Sequence, residues 1–306
     1  MVNKTVSDIF ADFELERVRR QRRNEQRCAK SRALQELLRE KRALLQKKLE
    51  HAFFDRVENE EELDSRIVQI EKEEQRVILK EGLREPCACA LCGDTGIRGE
   101  RYCICLLGKI YRELYGAVDL QTLPVDFRSF DLTVFDTQKK DVNGRSQRER
   151  MELYYKACKD YVADFPNTYR KNILLRGKAG LGKTFLMDCM AAAAFKKQLD
   201  VCLIRASALF DSFFRHRMGS DIPLNYLWEA DLLLIDDLGA EVITQNVTIE
   251  YLFDLLNRRM ETGKHTVVAT NVDNLQKRYD ERISSRLEAK QVCLELNFDG
   301  ADLRMR

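Results

Sequence analysis

Between residues 10 and 80 apolar side chains recur at helical spacing, at Leu34, Leu38, Leu45 and Leu49 and again at Leu63, Ile67, Ile70 and Val77, on a densely charged background without glycine or proline. That period predicts long amphipathic helices. Lys41 and Glu74 stand where the stripe calls for another apolar residue, too irregular for a long coiled coil, and a helical hairpin bending near 51–54 fits equally. Glu85-Pro86 ends this region, 109–115 predicts one more short helix, and 119–144 reads as loop.

The pattern then changes. Short β-branched apolar runs at 172–175, 201–204, 232–235, 266–269 and 292–296 alternate with helical stretches. Alternation of this kind predicts an α/β domain, a five-stranded parallel sheet between helices. The expected organisation is a helical domain at 1–118, a linker at 119–150 and the α/β domain at 151–306. A length of 306 residues accommodates two such units.

The charge total, 52 Lys+Arg against 50 Asp+Glu, leaves +2. A chain so balanced is not coated in positive charge, so any nucleic-acid contact is local. Basic residues outnumber acidic ones in 17–50, either as a solvated helix face or as a partner surface. The first residues form no continuous apolar core, and no run of 18 apolar residues occurs, so a cytoplasmic protein without a membrane span is expected.

The strongest chemical signal is Gly177-Lys178-Ala179-Gly180-Leu181-Gly182-Lys183-Thr184, a full P-loop pattern placed directly after one predicted strand and before a helical run. Gly177, Gly180 and Gly182 let backbone amides face phosphate oxygens at a helix N-terminus. Lys183 is expected to neutralise the β- and γ-phosphates of ATP, and Thr184 to ligate Mg2+. The apolar run 232–235 ends in Asp236-Asp237; the first is expected in the magnesium shell and the second beside the attacking water. Asn271, after the run 266–269, is placed to orient that water if its strand neighbours the carboxylate strand.

With Asp236-Asp237-Leu238-Gly239, Ala269-Thr270-Asn271 and Glu281-Arg282-Ile283-Ser284-Ser285-Arg286-Leu287 added to the P-loop, the chain resembles the DnaC/DnaI helicase-loader group of AAA+ ATPases, which includes IstB-like transposition helpers. The match covers 123–306. It implies Walker A at 177–184, Walker B at Asp236 and Asp237, sensor 1 at Asn271, and an arginine finger acting on a neighbouring subunit's nucleotide. Arg286 is the choice for the finger, with Arg282 the alternative; Arg304 is the candidate second sensor. Asp237 departs from the glutamate common in AAA+ enzymes and implies slow turnover. The implied function is ATP-dependent delivery of a hexameric replicative helicase onto single-stranded DNA, with self-association through the AAA+ domains. The alternatives are an IstB-like ATPase assisting a transposase and a zinc-stabilised adaptor with a nucleotide switch. Arg215 and Arg217 are the candidate DNA contacts, while Leu209, Phe210, Phe213 and Phe214 share one helical face and read as core.

Five of ten cysteines fall between Cys87 and Cys105. Two close groups separated by ten residues, three of them glycine, suit four thiolates around one zinc. Cys89, Cys92, Cys103 and Cys105 are the expected ligands, with Cys87 extra or exchangeable; an iron–sulfur cluster or reduced thiols are the competing readings. Cys-x-x-Cys-x-Asp-Thr-Gly, here Cys89 to Gly96, also resembles the loader group. Cys158, Cys189, Cys202 and Cys293 lie in apolar runs and read as small core residues.

Overall fold

The computed structural model describes residues 4–53, 60–244 and 246–305. Three long helices come first, α1 (Val6–Lys30), α2 (Arg32–Phe53) and α3 (Glu60–Lys80). A ribbon of β1 (Ile97–Arg98) and β2 (Arg101–Tyr102) leads to α4 (Ile104–Tyr115) and α5 (Gln147–Asp164). Then follow β3 (Asn172–Gly177), α6 (Lys183–Lys196), β4 (Val201–Arg205), α7 (Ala206–Arg217), α8 (Asn225–Glu229) and β5 (Leu232–Leu238). The chain continues through α9 (Thr248–Glu261), β6 (His265–Thr270), α10 (Leu275–Arg278), α11 (Glu281–Leu287) and β7 (Cys293–Phe298).

Contacts divide the chain into two compact units, Phe10–Arg101 and Met1–Ile9 with Tyr102–Arg306. The division falls after Arg101, not at 118, because the apolar face of α4 (Leu106, Ile110, Tyr111, Leu114 and Tyr115) is buried against β4 and α7. Residues 119–150, expected as a linker, send Phe127 and Phe135 into the core of the sheet unit. Helix α5 starts inside that range, fixed by a reciprocal capping box between Ser146 and Glu149.

In the helical unit α2 packs along α3. The two charged interruptions of the apolar stripe meet there: Lys41 Nζ lies 3.4 Å from Glu74 and 3.0 Å from Glu71. Helix α2 runs to Phe53; Phe54, in the expected bend, lies outside the described residues. Part of the basic excess of α1 is met within the unit, since Arg23 and Arg27 reach Glu85 at 2.9 and 3.2 Å and Arg20 pairs with Asp94.

The sheet unit contains five parallel strands in the order β4-β5-β6-β3-β7. The first four residues of β3, β4 and β5 and all of β6 are buried, as a sheet covered on both faces requires. Leu186, Met187, Met190 and Ala194 of α6 pack into the core with Ile173, Leu203, Leu234 and Val267. In α7, Leu209, Phe210 and Phe213 are buried as expected, but Phe214 is 44% exposed. At about 100° per residue it stands some 140° from Leu209, past the edge of the buried face.

Candidate functional site

The P-loop joins β3 to α6. Gly177 has φ +148, and a Cβ there would collide with the backbone of Phe298; Gly180 has φ +76, and a Cβ would enter the Asp302 carboxylate. Lys183 is only 7% exposed. Its ammonium donates back to the carbonyls of Gly177 (2.5 Å) and Lys178 (2.7 Å), and burial draws its pKa below the usual lysine value. A buried cation held by two neutral carbonyls is poised to exchange them for an anion.

The expected carboxylates meet the loop. Thr184 Oγ1 donates to Asp236 at 3.0 Å, tying the first turn of α6 to the end of β5. Asp236 is 6% exposed, and burial, reinforced by Asp237, pushes its carboxyl above the usual range. The β5–β6 register shifts between Ile235 and Leu238, and Asp237 sits there at φ +55 with its side chain exposed. An irregularity of this kind turns a carboxylate out of the sheet that its neighbour remains buried in. Strand β6 pairs with both β5 and β3, the adjacency on which the reading of Asn271 depended. Asn271 follows β6 immediately, is exposed, and has its side-chain oxygen beside Gly239. Asp188, one turn after Thr184 and unmarked by any motif, is pushed up to about 6 by burial and then by Asp236.

The segment after β7 lies on the loop: Leu303 N donates to Gly180 O at 2.9 Å. Arg304 is held loosely by Asp302 at 3.4 Å and its charge is felt by Lys183. Sequence reasoning missed the aromatic side of the loop. Phe135 lies 3.5 Å from a Cβ placed on Gly182, and Phe130 stacks on Phe135 at 5.9 Å and meets the exposed Phe185 in a tilted contact at 5.7 Å. The signal was the aromatic density of a stretch read as linker.

A family model of the bacterial DnaA ATPase domain matches residues 140–293, half of the chain. The chain belongs to that family. The initiator protein DnaA of Bartonella quintana (strain Toulouse) is 30% identical over 143 residues, 44% of this chain and 28% of that protein. The replicative helicase loader DnaI of Bacillus subtilis (strain 168) is 27% identical over 143 residues, 43% of this chain and 45% of that protein. The chain thus matches less than half the length of each of these relatives. A DnaI crystal structure superposes with a TM-score of 0.45 at 22% identity, covering 61% of this chain and 94% of the other, and a DnaC helicase-loader structure with 0.44 at 19%, covering 56% and 98%. The resemblance of this DnaA-family ATPase domain to the DnaC/DnaI-type AAA+ loaders agrees with the Bacillus relative.

In this domain the two finger candidates lie on α11. Arg282 is paired with Asp280 at 2.8 Å, whereas Arg286 donates to the Asn257 side-chain oxygen at 2.7 and 3.1 Å. Arg215 and Arg217 end α7; Arg215 is 3.9 Å from Asp211.

In the segment 87–105 the thiols of Cys89, Cys92, Cys103 and Cys105 lie within 4.8 Å of one another, and Cys87 is outside the group. Asp94, the aspartate of the Cys-x-x-Cys-x-Asp-Thr-Gly segment and 7% exposed, accepts from the amides of Ala88 (3.1 Å) and Cys89 (2.8 Å). Gly96 N donates to Cys92 Sγ at 3.3 Å, which stabilises a thiolate. Four converging sulfurs form a set that could hold a soft metal ion. Cys158, Cys189, Cys202 and Cys293 are buried. Burial pushes the Cys189 thiol up to about 12, as inert core thiols require. Among the described residues no helix is long and apolar enough to cross a membrane.

Proposed function

We propose that this chain is an ATP-hydrolysing AAA+ protein that delivers a replicative DNA helicase onto single-stranded DNA during replication initiation or restart, acting in the cytoplasm. The observation that carries the nucleotide part is the Thr184–Asp236 hydrogen bond, because it brings P-loop and carboxylate strand into one magnesium-sized corner. In this reading Lys183 neutralises the β- and γ-phosphates, and Gly177, Gly180 and Gly182 shape the cradle. Thr184 and Asp236 hold Mg2+, which supplies charge at the phosphates, while Asp237 and Asn271 orient the attacking water. Arg304 approaches the nucleotide of its own chain, and Arg286 that of a neighbouring subunit, so hydrolysis depends on assembly. The short reach of Asp237 makes turnover slow, as suits a timer. Phe130, Phe135 and Phe185 offer an apolar wall for the base.

The loader assignment is supported by the DnaI relative and by the Cys89 to Gly96 segment. The four-cysteine group is assigned to zinc, since a closed thiolate tetrahedron with Zn–S of about 2.3 Å is a structural site. A second reading, an initiator of the DnaA kind, draws on the family match and the Bartonella relative.

The test is ATP hydrolysis per subunit across protein concentrations, with and without single-stranded DNA, for wild type, Lys183→Ala and Arg286→Ala, together with co-purification. A rate that rises with concentration, is abolished by both substitutions and leaves ATP binding intact in Arg286→Ala supports the mechanism. Turnover that ignores both concentration and Arg286 overturns it. A hexameric helicase in the co-purified complex supports the loader; a transposase or origin DNA in its place rejects it.

A further inference from the structure

The environment of Arg286 is built from two helices that each contribute residues at positions i and i+4. On α9 these are Phe253 and Asn257; on α11 they are Arg282 and Arg286. Residues four apart share a helix face. The Arg286 guanidinium carbon lies 4.2 Å from the Phe253 ring centroid, and that of Arg282 lies 4.9 Å from it. Nε and Nη2 of Arg286 both donate to Asn257 Oδ1 at 3.1 and 2.7 Å, and Nη1 donates to the carbonyl of Arg282 at 3.0 Å. Asn257 is itself oriented, because its Nδ2 donates to Glu261 at 2.6 Å, leaving only its oxygen for the arginine.

Two features set this arrangement apart from an ordinary surface stack. First, the acceptor that holds Arg286 is a neutral amide. Among the described residues no carboxylate forms an ion pair with Arg286, whereas its neighbour Arg282 is neutralised by Asp280. The grip therefore fixes the direction of the guanidinium and leaves its charge uncompensated. Second, three of its five N–H groups are engaged and two are left, one on each terminal nitrogen, forming the fork that matches two phosphate oxygens. Packing alone requires neither feature, and two arginines on one ring carry a like-charge cost that a Leu or Met at 286 avoids.

We infer that Phe253 and Asn257 are positioning residues that fix the direction of the Arg286 guanidinium, with its fork free, for delivery to the nucleotide of an adjacent subunit. The inference rests on the reading of Arg286 as a finger acting in trans. The amide at 257 matters as an amide: an aspartate would grip the arginine more tightly and cancel the charge that the developing phosphoryl anion needs.

The experiment mixes two inactive full-length chains. Asp237→Asn keeps the finger but lacks the water-orienting carboxylate, and Arg286→Ala keeps its own nucleotide site but lacks the finger. Activity returns in the mixture if the finger works in trans. Adding Asn257→Ala to the Asp237→Asn chain is expected to lower the restored kcat by up to about 100-fold, the scale of a misplaced catalytic group, with KM for ATP unchanged. The same addition to the Arg286→Ala chain leaves the restored rate as it was. Asn257→Asp on the finger-supplying chain lowers the rate at least as much while its melting temperature holds or rises, which separates positioning from stability. Phe253→Leu on that chain acts like Asn257→Ala, and Phe253→Tyr restores the rate. Restored activity that neither Asn257 substitution diminishes overturns this inference and leaves the trans finger standing. No restored activity in the parent mixture overturns both.

Discussion

Leu303 donates its amide hydrogen to the carbonyl of Gly180 at 2.9 Å, so the residues that follow the last strand lie on the P-loop itself. The Asp302 carboxylate fills the space where a side chain at position 180 would begin, and Gly180 has φ +76. Gly180→Ala is therefore strained twice, by its backbone and by Asp302. It is expected to cost about 1–3 kcal/mol of stability and to weaken ATP binding. Melting curves and nucleotide titration check this, with Asp302→Ala added as a second substitution. The double variant recovers the steric part and keeps the backbone part; no recovery at all would mean that the segment does not rest on the loop.

Asp94 organises the cysteine segment by accepting the amides of Ala88 and Cys89. If the group holds zinc, the purified chain contains one zinc per molecule, and Cys92→Ser loses it while Cys87→Ser keeps it. Asp94→Ala retains the ligands but loosens their backbone, with an expected drop of about 10–100-fold in metal affinity. Metal analysis after dialysis against a graded chelator series measures both. Equal metal loss from Cys87→Ser and Cys92→Ser would contradict the ligand assignment.

Asp200 accepts from the Tyr111 hydroxyl of α4 at 3.0 Å, and burial pushes its carboxyl up to about 7. In the unfolded chain the same carboxyl titrates near 3.9. Between those values the folded state holds a proton that the unfolded state has released, so this group's contribution to stability falls as pH rises from about 4 to about 7. Asp200→Asn removes that dependence. Its stability relative to wild type is expected to increase between pH 5 and pH 8, read by urea unfolding at both; a constant difference would place the Asp200 titration in its ordinary range.

The candidate nucleotide site was legible because its elements are local. The P-loop glycines, Lys183 and Thr184 form one run, and the two aspartates that end the apolar run 232–235, a common strand exit by themselves, gain meaning from that P-loop upstream. The five strands were legible from β-branched apolar runs, with ends short by one to three residues because polar residues such as Arg176, Arg205 and Asp236 continue the ladder. The domain boundary was not legible: α4 is amphipathic whichever unit it serves, and only burial against β4 and α7 assigns it.

The sequence by itself determined the helical region, the parallel sheet, the P-loop run between strand and helix and the four-cysteine group, since each rests on spacing along the chain or on the period of a single element. Tertiary structure decided what depends on distant residues meeting. It set the Asp302 segment on Gly180, gave Asp94 its amides, placed Phe130 and Phe135 beside the loop, and paired Arg282 with a carboxylate but Arg286 with the amide of Asn257. Two arginines of one short helix share one motif in the sequence; only the fold pairs one with a carboxylate and the other with a neutral amide.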